Sequence, residues 1–290
     1  MTPFPVFDAT LLSHPRRRDT TVVAEFALPT GSFKDRGAAA VVADAVARGA
    51  RRVSLDSSGN AGLAVAAAAR RAGIDAVVRV ASGIAPAKEA LIAATGARVE
   101  KFDDRAAAVR ACSADAGSYD ASHVRNPVFR RGIATLAAAW AAKAPIPERI
   151  VLPVGNGSLL LGLWEGLGAR RREGVLGRLP RLIAVQPERC APIARPDAPG
   201  DGRTIADGCA VTAPPLASAV LAAVAESGGA VLAISEERIE SAWKSAWRDG
   251  FPVEPTSALA FAALEDLPEG PATAVVATGS GLKRVPGAAS

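Results

Sequence analysis

Aromatic residues make up 4% of this 290-residue chain, and it holds one tyrosine, one methionine and two histidines. The three cysteines, Cys112, Cys190 and Cys209, have no metal-ligand spacing and an odd count for disulfides. A zinc module or a disulfide scaffold is therefore excluded, and a reducing cytoplasm is the expected compartment. No apolar run reaches membrane-spanning length. Residues 1–8 lack the basic-then-apolar order of a secretion signal. The net charge is +5, with the densest runs at Arg16-Arg17-Arg18 and Arg170-Arg171-Arg172. No aromatics interleave with either run and no nucleic-acid motif accompanies them. The second run closes a helical pattern, where cations complement the helix dipole. Neither nucleic acid nor a membrane is an expected partner.

Lysine is the scarcest charge: there are six, at 34, 88, 101, 143, 244 and 283, against 28 arginines. A chain that uses arginine wherever positive charge suffices leaves its few lysines as candidates for amine chemistry. Arginine cannot lose its proton or attack as an amine, and a desolvated lysine can do both. Lys34 stands out because it lies between two glycines in Pro29-Thr30-Gly31-Ser32-Phe33-Lys34-Asp35-Arg36-Gly37. This turn opens a helical pattern, and Asp35 falls in the helix's first turn, where a carboxylate is favourable. By itself such a lysine is equally a surface residue at a helix start.

What is abundant is alanine and small β-branched residues, in a chain 49% hydrophobic. Residues 1–19 read as irregular, and 20–23 as a strand running into Glu25-Phe26. From residue 51 strands and helices alternate. Strands are predicted at 53–56, 76–80, 98–102 and 119–122, with helices at 63–71, 86–95 and 104–116 between them. Residues 125–132 read as a crossing segment. Helices follow at 133–143, 159–169, 216–226, 236–248 and 257–267, and strands at 150–154, 181–186, 230–234 and 272–277. Such alternation means βαβ units and parallel sheets. The long irregular stretch 187–215 is of the kind that carries function.

Three turns share one form, a strand followed by small residues: Ser57-Ser58-Gly59-Asn60-Ala61-Gly62, Gly155-Asn156-Gly157-Ser158 and Thr278-Gly279-Ser280-Gly281. Open α/β sheets bind ligands at such places, outside the carboxyl ends of strands. Gly155 to Ser158 can aim successive backbone N–H groups from a helix N-terminus, a ready phosphate cradle. It matches neither the dinucleotide fingerprint, since Leu160 replaces the third glycine, nor a P-loop.

Taken in order, P-T-G-S-F-K-D-R-G, S-S-G-N, V-G-N-G-S and T-G-S-G-L-K resemble threonine synthase and its relatives. These are pyridoxal 5'-phosphate (PLP) enzymes of the tryptophan-synthase-β fold, also called fold-type II. The resemblance spans residues 25–283 and implies a two-lobed α/β fold. Each lobe would be a mainly parallel sheet flanked by helices, with the cofactor in the cleft. Residues 1–49 and 126–290 would form the larger, PLP-binding lobe and 50–125 the smaller inserted one. Lys34 would be the Schiff-base lysine, and Asn60 the partner of the cofactor's phenolic oxygen. Ser57, Ser58, Gly59 and Ala61 would grip the substrate carboxylate. Gly155, Asn156, Gly157 and Ser158 would hold the phosphate, and Thr278 would face the pyridine nitrogen. The implied activity is elimination or replacement at the β or γ carbon of a small, activated amino acid by a homodimer. The alternatives are a serine/threonine dehydratase-type ammonia-lyase, or a PLP-binding protein without turnover.

The sequence departs from that pattern in places. The family segment N-P-x-R-x-x-G-Q-K-T reads here Asn126-Pro127-Val128-Phe129-Arg130-Arg131-Gly132-Ile133-Ala134-Thr135. Phe129 replaces the arginine that in the family helps to bind the phosphate of O-phosphohomoserine. Ser122-His123 replaces the usual Asn-Ser; His123 is either a catalytic acid or a structural residue at a strand end. Thr204-Ile205-Ala206-Asp207-Gly208 looks as much like the serine/threonine dehydratase relatives as like the synthases. Glu254-Pro255-Thr256-Ser257 resembles a segment near the cofactor and reads equally as a buried helix start. Only 33 residues precede Lys34 and seven follow Lys283, short for the family, so closing or dimer elements are expected to be reduced.

Overall fold

The computed structural model describes residues 6–283. In chain order the elements are β1 (Leu11–Ser13), β2 (Thr20–Ala24), α1 (Lys34–Ala47), β3 (Arg52–Asp56), α2 (Asn60–Ala72), β4 (Asp75–Ala81), α3 (Pro86–Ala93), β5 (Arg98–Phe102), α4 (Arg105–Ala114), β6 (Tyr119–Asp120) and α5 (Pro127–Ala141). They continue as β7 (Arg149–Pro153), α6 (Ser158–Arg172), β8 (Arg181–Pro187), α7 (Ala217–Glu226), β9 (Ala230–Ile234), α8 (Glu236–Arg248), α9 (Pro255–Ala263) and β10 (Thr273–Ala277). Two compact units result: one is built on Pro29–Thr135, the other on Asp8–Leu28 with the chain from Leu136 onward. No described helix is long and apolar enough to cross a membrane.

The first unit holds a four-stranded sheet in the order β5-β4-β3-β6, parallel throughout. Alternating strands and helices of this length can close only by crossovers, which makes the pairing parallel. β3 buries four of its five residues and β4 five of its seven, as strands covered on both faces do. Helix α1 is rich in buried alanine, and the small side chains let α5 come close. A Cβ on Gly132 would lie 2.7 Å from Ala40 Cβ and 2.9 Å from Gly37 Cα, and one on Gly37 would overlap the ring of Phe129. Both glycines are thus fixed by close packing, Gly132 against the α1 backbone and Gly37 against the Phe129 ring, and not by backbone conformation.

The second unit carries a six-stranded sheet in the order β1-β2-β10-β7-β8-β9. Only the edge strand β1 is antiparallel. Helix α9 is buried along its whole length and packs on β7, β8 and β10. A helix apolar on every side, as Ala258 to Ala263 are, belongs inside a core. Trp243 and Trp247 of α8 both donate their indole N–H to the Val253 carbonyl, at 2.7 and 2.9 Å, anchoring the turn that leads into α9.

Three local expectations change. Residues 11–13 pair as a strand instead of running irregularly, and Glu25–Ala27 form a 3-10 turn instead of extending β2. Helix α5 begins at Pro127, six residues before 133. The cause lies in Asn126-Pro127. Proline suits the first helical position, and Asn126 Oδ1 accepts the Val128 N–H at 2.9 Å. Phe129 therefore lies on the first turn of a helix and not on a crossing loop.

A buried cluster locks the first sheet to α4. Arg79, on the central strand β4, bonds Glu100 through Nε at 2.8 Å and Asp115 through Nη2 at 2.7 Å. The hydrogen bond from Arg79 holds the Asp115 carboxyl below its ordinary range. A carboxylate with a lowered folded pKa adds stability above its unfolded value near 4, and loses it as pH falls through the folded value. Arg79→Met should destabilise the protein by about 2 kcal/mol. That is less than the ~3–5 of a fully buried pair, because Asp115 and Glu100 keep water contact. Urea midpoints measured from pH 6 down to 2 should fall less steeply in the variant than in wild type.

Candidate active site

In a parallel sheet, neighbouring strands end on the same edge, so consecutive motifs are brought together by pairing and not by sequence distance. In the first unit β3 pairs with β6. The turn Ser57–Ala61 after β3 and the turn 121–126 after β6 are therefore neighbours. Arg125 ties them, donating to Asp56 Oδ1 at 3.0 Å and through Nε to Asp120 at 3.1 Å. Ser57 is half-buried and accepts the Gly59 N–H at 3.4 Å; Ser58 is exposed; Asn60 is the first residue of α2 and Ala61 is buried. A Cβ on Gly62 would collide with the Ser57 carbonyl, so glycine there lets the turn fold tightly onto α2.

Lys34 is the first residue of α1. The preceding loop is fastened by Asp35, whose buried carboxylate accepts the Thr30 N–H at 2.7 Å and the Thr30 hydroxyl at 2.8 Å. Gly31 takes φ +77°, open to glycine and costly for other residues. Arg36 is 1% exposed and donates to the Phe7 carbonyl at 2.6 Å. With both neighbours fixed, the lysine stem has a defined exit. Its Nζ lies 4.8 Å from the ring centroid of Phe33 and 5.7 Å from that of Phe129. Both are within reach of a cation–π contact. Phe129 is fully buried, and His123 stands edge-on to it at 6.1 Å. Around the Lys34 amine the walls are thus aromatic.

In the second unit β7 and β10 are adjacent parallel strands, so the turns that follow them also emerge together. Gly155–Ser158 leads into α6, a helix of 15 residues. Gly157 takes φ +90°, and no side chain caps the helix. A Cβ on Gly157 would overlap Val220, and one on Gly155 would lie 2.8 Å from the Gly208 carbonyl. The turn thus has no room for a side chain at either glycine. Its amide groups sit at the positive end of a long helix, which suits a phosphate group.

Thr278, 2% exposed, shares a 3.0 Å hydrogen bond with Ser257 Oγ. Ser257 also accepts the Gly279 N–H at 2.9 Å and donates to the Gly279 carbonyl at 3.1 Å. Thr256 accepts the Gly208 N–H at 3.1 Å. Glu254-Pro255-Thr256-Ser257 is therefore a buried helix start that also braces two flanking turns, the one at Thr278 and the one at Gly208. Nothing in the sequence pointed to this brace, and Phe33 was not among the expected site residues. The signal for Phe33 was its place next to the lysine on a helix end. No described cluster of His, Cys, Asp or Glu could hold a metal ion.

Two mainly parallel sheets flanked by helices, with glycine-containing turns after their strands, are the architecture of a fold-type II α/β enzyme. Comparisons with known proteins agree. The model of the family described as pyridoxal-phosphate dependent enzyme matches residues 1–279. Threonine synthase from Mycobacterium tuberculosis is 33% identical over 292 residues, covering 96% of this chain and 81% of that protein. The crystal structure of a threonine deaminase from T.th. has a TM-score of 0.73 at 27% identity, over 91% of this chain and 87% of the other. O-ureido-L-serine synthase, at 21% identity and TM-score 0.77 over 97% and 90% of the two chains, shares the fold. The chain belongs to the pyridoxal-phosphate dependent enzyme family, and its cofactor is PLP.

The tightness of the cradle gives a direct test. Gly157→Val should weaken PLP binding at least tenfold in a fluorescence titration, with little change in circular dichroism. Unchanged affinity would put the phosphate elsewhere.

Proposed function

We propose that this protein catalyses elimination or replacement on the side chain of a small amino acid whose side chain is neutral, not phosphorylated. The observation that carries this is Phe129, fully buried with its ring 5.7 Å from Lys34 Nζ, in place of a guanidinium. An arginine at that place makes charge-assisted, often bidentate bonds to a phosphate dianion, each worth roughly 1.5–3 kcal/mol. A phenyl ring offers none and repels a desolvated anion. Arg130, the adjacent helical residue, points about 100° away around α5 and does not substitute for it.

The residues divide the work as follows in this reading. Lys34 would be the covalent attachment point for PLP, and its amine, when free, could hold the α-proton. The rings of Phe33 and Phe129 flank the amine. Gly155, Asn156, Gly157 and Ser158 hold the phosphate of PLP, and Asn60 holds its phenolic oxygen. Thr278, oriented by Ser257, would meet the pyridine nitrogen with a neutral hydroxyl, which would not hold that nitrogen protonated as a carboxylate would. Ser57, Ser58, Gly59 and Ala61 take the substrate carboxylate by backbone N–H groups and a hydroxyl. When bound, PLP supplies the electron sink. A serine/threonine dehydratase-type ammonia-lyase fits this site best. The similarity to threonine deaminase supports it. The protein is expected to work as a cytoplasmic homodimer.

Two measurements test this reading. Borohydride treatment of the yellow holoprotein should fix PLP onto Lys34, read by peptide mass spectrometry; label on another lysine would sink the assignment. Steady-state kinetics should give kcat/KM for O-phosphohomoserine, with phosphate release followed, about ten- to a hundredfold below that for L-threonine or L-serine. Efficient turnover of O-phosphohomoserine, unimproved in Phe129→Arg, would instead make this an ordinary threonine synthase.

A further inference from the structure

His123 lies in the turn between β6 and α5, and no hydrogen bond among the described residues uses its buried Nδ1. The side chain is 9% exposed. A buried polar atom without a partner is rare in folded proteins and needs an explanation. A loose turn does not provide one, because the backbone here is heavily fixed. Ser122 Oγ accepts the N–H groups of Val124 at 3.3 Å and Arg125 at 3.2 Å. The Asn126 N–H bonds the Ser122 carbonyl at 3.0 Å, and the Asn126 side chain bonds the Asp120 carbonyl at 2.7 Å. The imidazole is therefore held in place with one nitrogen unsatisfied. It stands edge-on to Phe129, the ring that also faces Lys34 Nζ.

We propose that His123 is a specificity-determining residue that hydrogen-bonds the side-chain hydroxyl of a small hydroxy amino acid. The inference rests on the reading of Lys34 as the point at which substrate chemistry occurs. Burial keeps the imidazole neutral, and the charges of Lys34 in α1, Arg105 at the start of α4 and Arg125 in the same turn push in that direction. A neutral imidazole offers one donor and one acceptor, the complement of a hydroxyl. A phosphate dianion is held by cations instead. Phe129 and His123 thus select for the same thing: one excludes an anionic side chain and the other rewards a hydroxyl.

The test uses the PLP-loaded full chain with L-threonine and L-2-aminobutyrate, which share a carbon skeleton and differ by the hydroxyl. Kd values are read from the change in cofactor absorbance, before turnover. Wild type should bind L-threonine about three- to tenfold tighter, the range of one net hydrogen bond. His123→Leu should bind the two equally, and His123→Asn, which keeps a hydrogen-bonding group, should regain part of the preference. Histidine-labelled NMR gives a second readout, since the chain has only two histidines. The His123 imidazole should shift with L-threonine and not with L-2-aminobutyrate, while His14, whose Nδ1 already accepts the Arg16 N–H at 3.2 Å, stays put. Equal binding of both ligands by wild type, or a preference that survives in His123→Leu, overturns the role of His123 alone. If neither amino acid perturbs the spectrum, the Lys34 reading falls and this one with it.

Discussion

Strands that pair in parallel all end on one edge of their sheet, and this constraint determines where chemistry can assemble in each unit. The pairing of β7 with β10 sets the glycine cradle beside Thr278, although more than a hundred residues separate them in sequence. The pairing of β3 with β6 sets Ser57–Ala61 beside the His123 turn. These turns offer mainly backbone groups and short hydroxyls from glycine, serine and threonine.

A second constraint follows from how closely helices approach. Gly37 and Gly132 are tolerated in helix interiors, where each costs stability relative to alanine, because the crossing of α1 and α5 leaves no space for a methyl group. The gain is positional. The ring of Phe129 seats directly on Gly37, one turn from Lys34, so the wall facing the amine is set by the packing of two helices and not by a mobile loop. The same contact couples residue 129 to residue 37, so neither can change in size without the other.

The alternation of elements, the cradle and the lysine turn were legible because each has a local cause. Strand periodicity, glycine at φ +90° and a helix start are written in a few adjacent residues. The start of α5 was misread because Asn126-Pro127 signals both a break and a helix N-terminus, and only the bond from Val128 N–H to Asn126 Oδ1 decides between them. The bracing of Thr278 by Ser257 was not legible at all. It joins residues 21 positions apart through a buried helix, and nothing in either segment announces the other. Phe129 was visible as a departure from a pattern, yet its burial against Gly37, and hence its role as a wall, required the helix crossing.

These constraints bear on how a site of this kind changes its substrate. A guanidinium at position 129 would enter a fully buried place whose floor is Gly37 and whose neighbours are the Lys34 amine and the His123 imidazole. Desolvating a second cation next to Lys34 without an anion present is unfavourable, so an arginine there is stable only when a phosphate is bound or when counter-charges accompany it. Phenylalanine removes that cost in the empty site, and the neutral imidazole of His123 is compatible with it in a way that an imidazolium would not be. The aromatic wall and the uncharged histidine therefore act as one unit. Under the proposed function, selectivity at the reacting end of the substrate depends on hydrogen bonding in an apolar setting, where a missing partner is felt more strongly than it would be beside a cation.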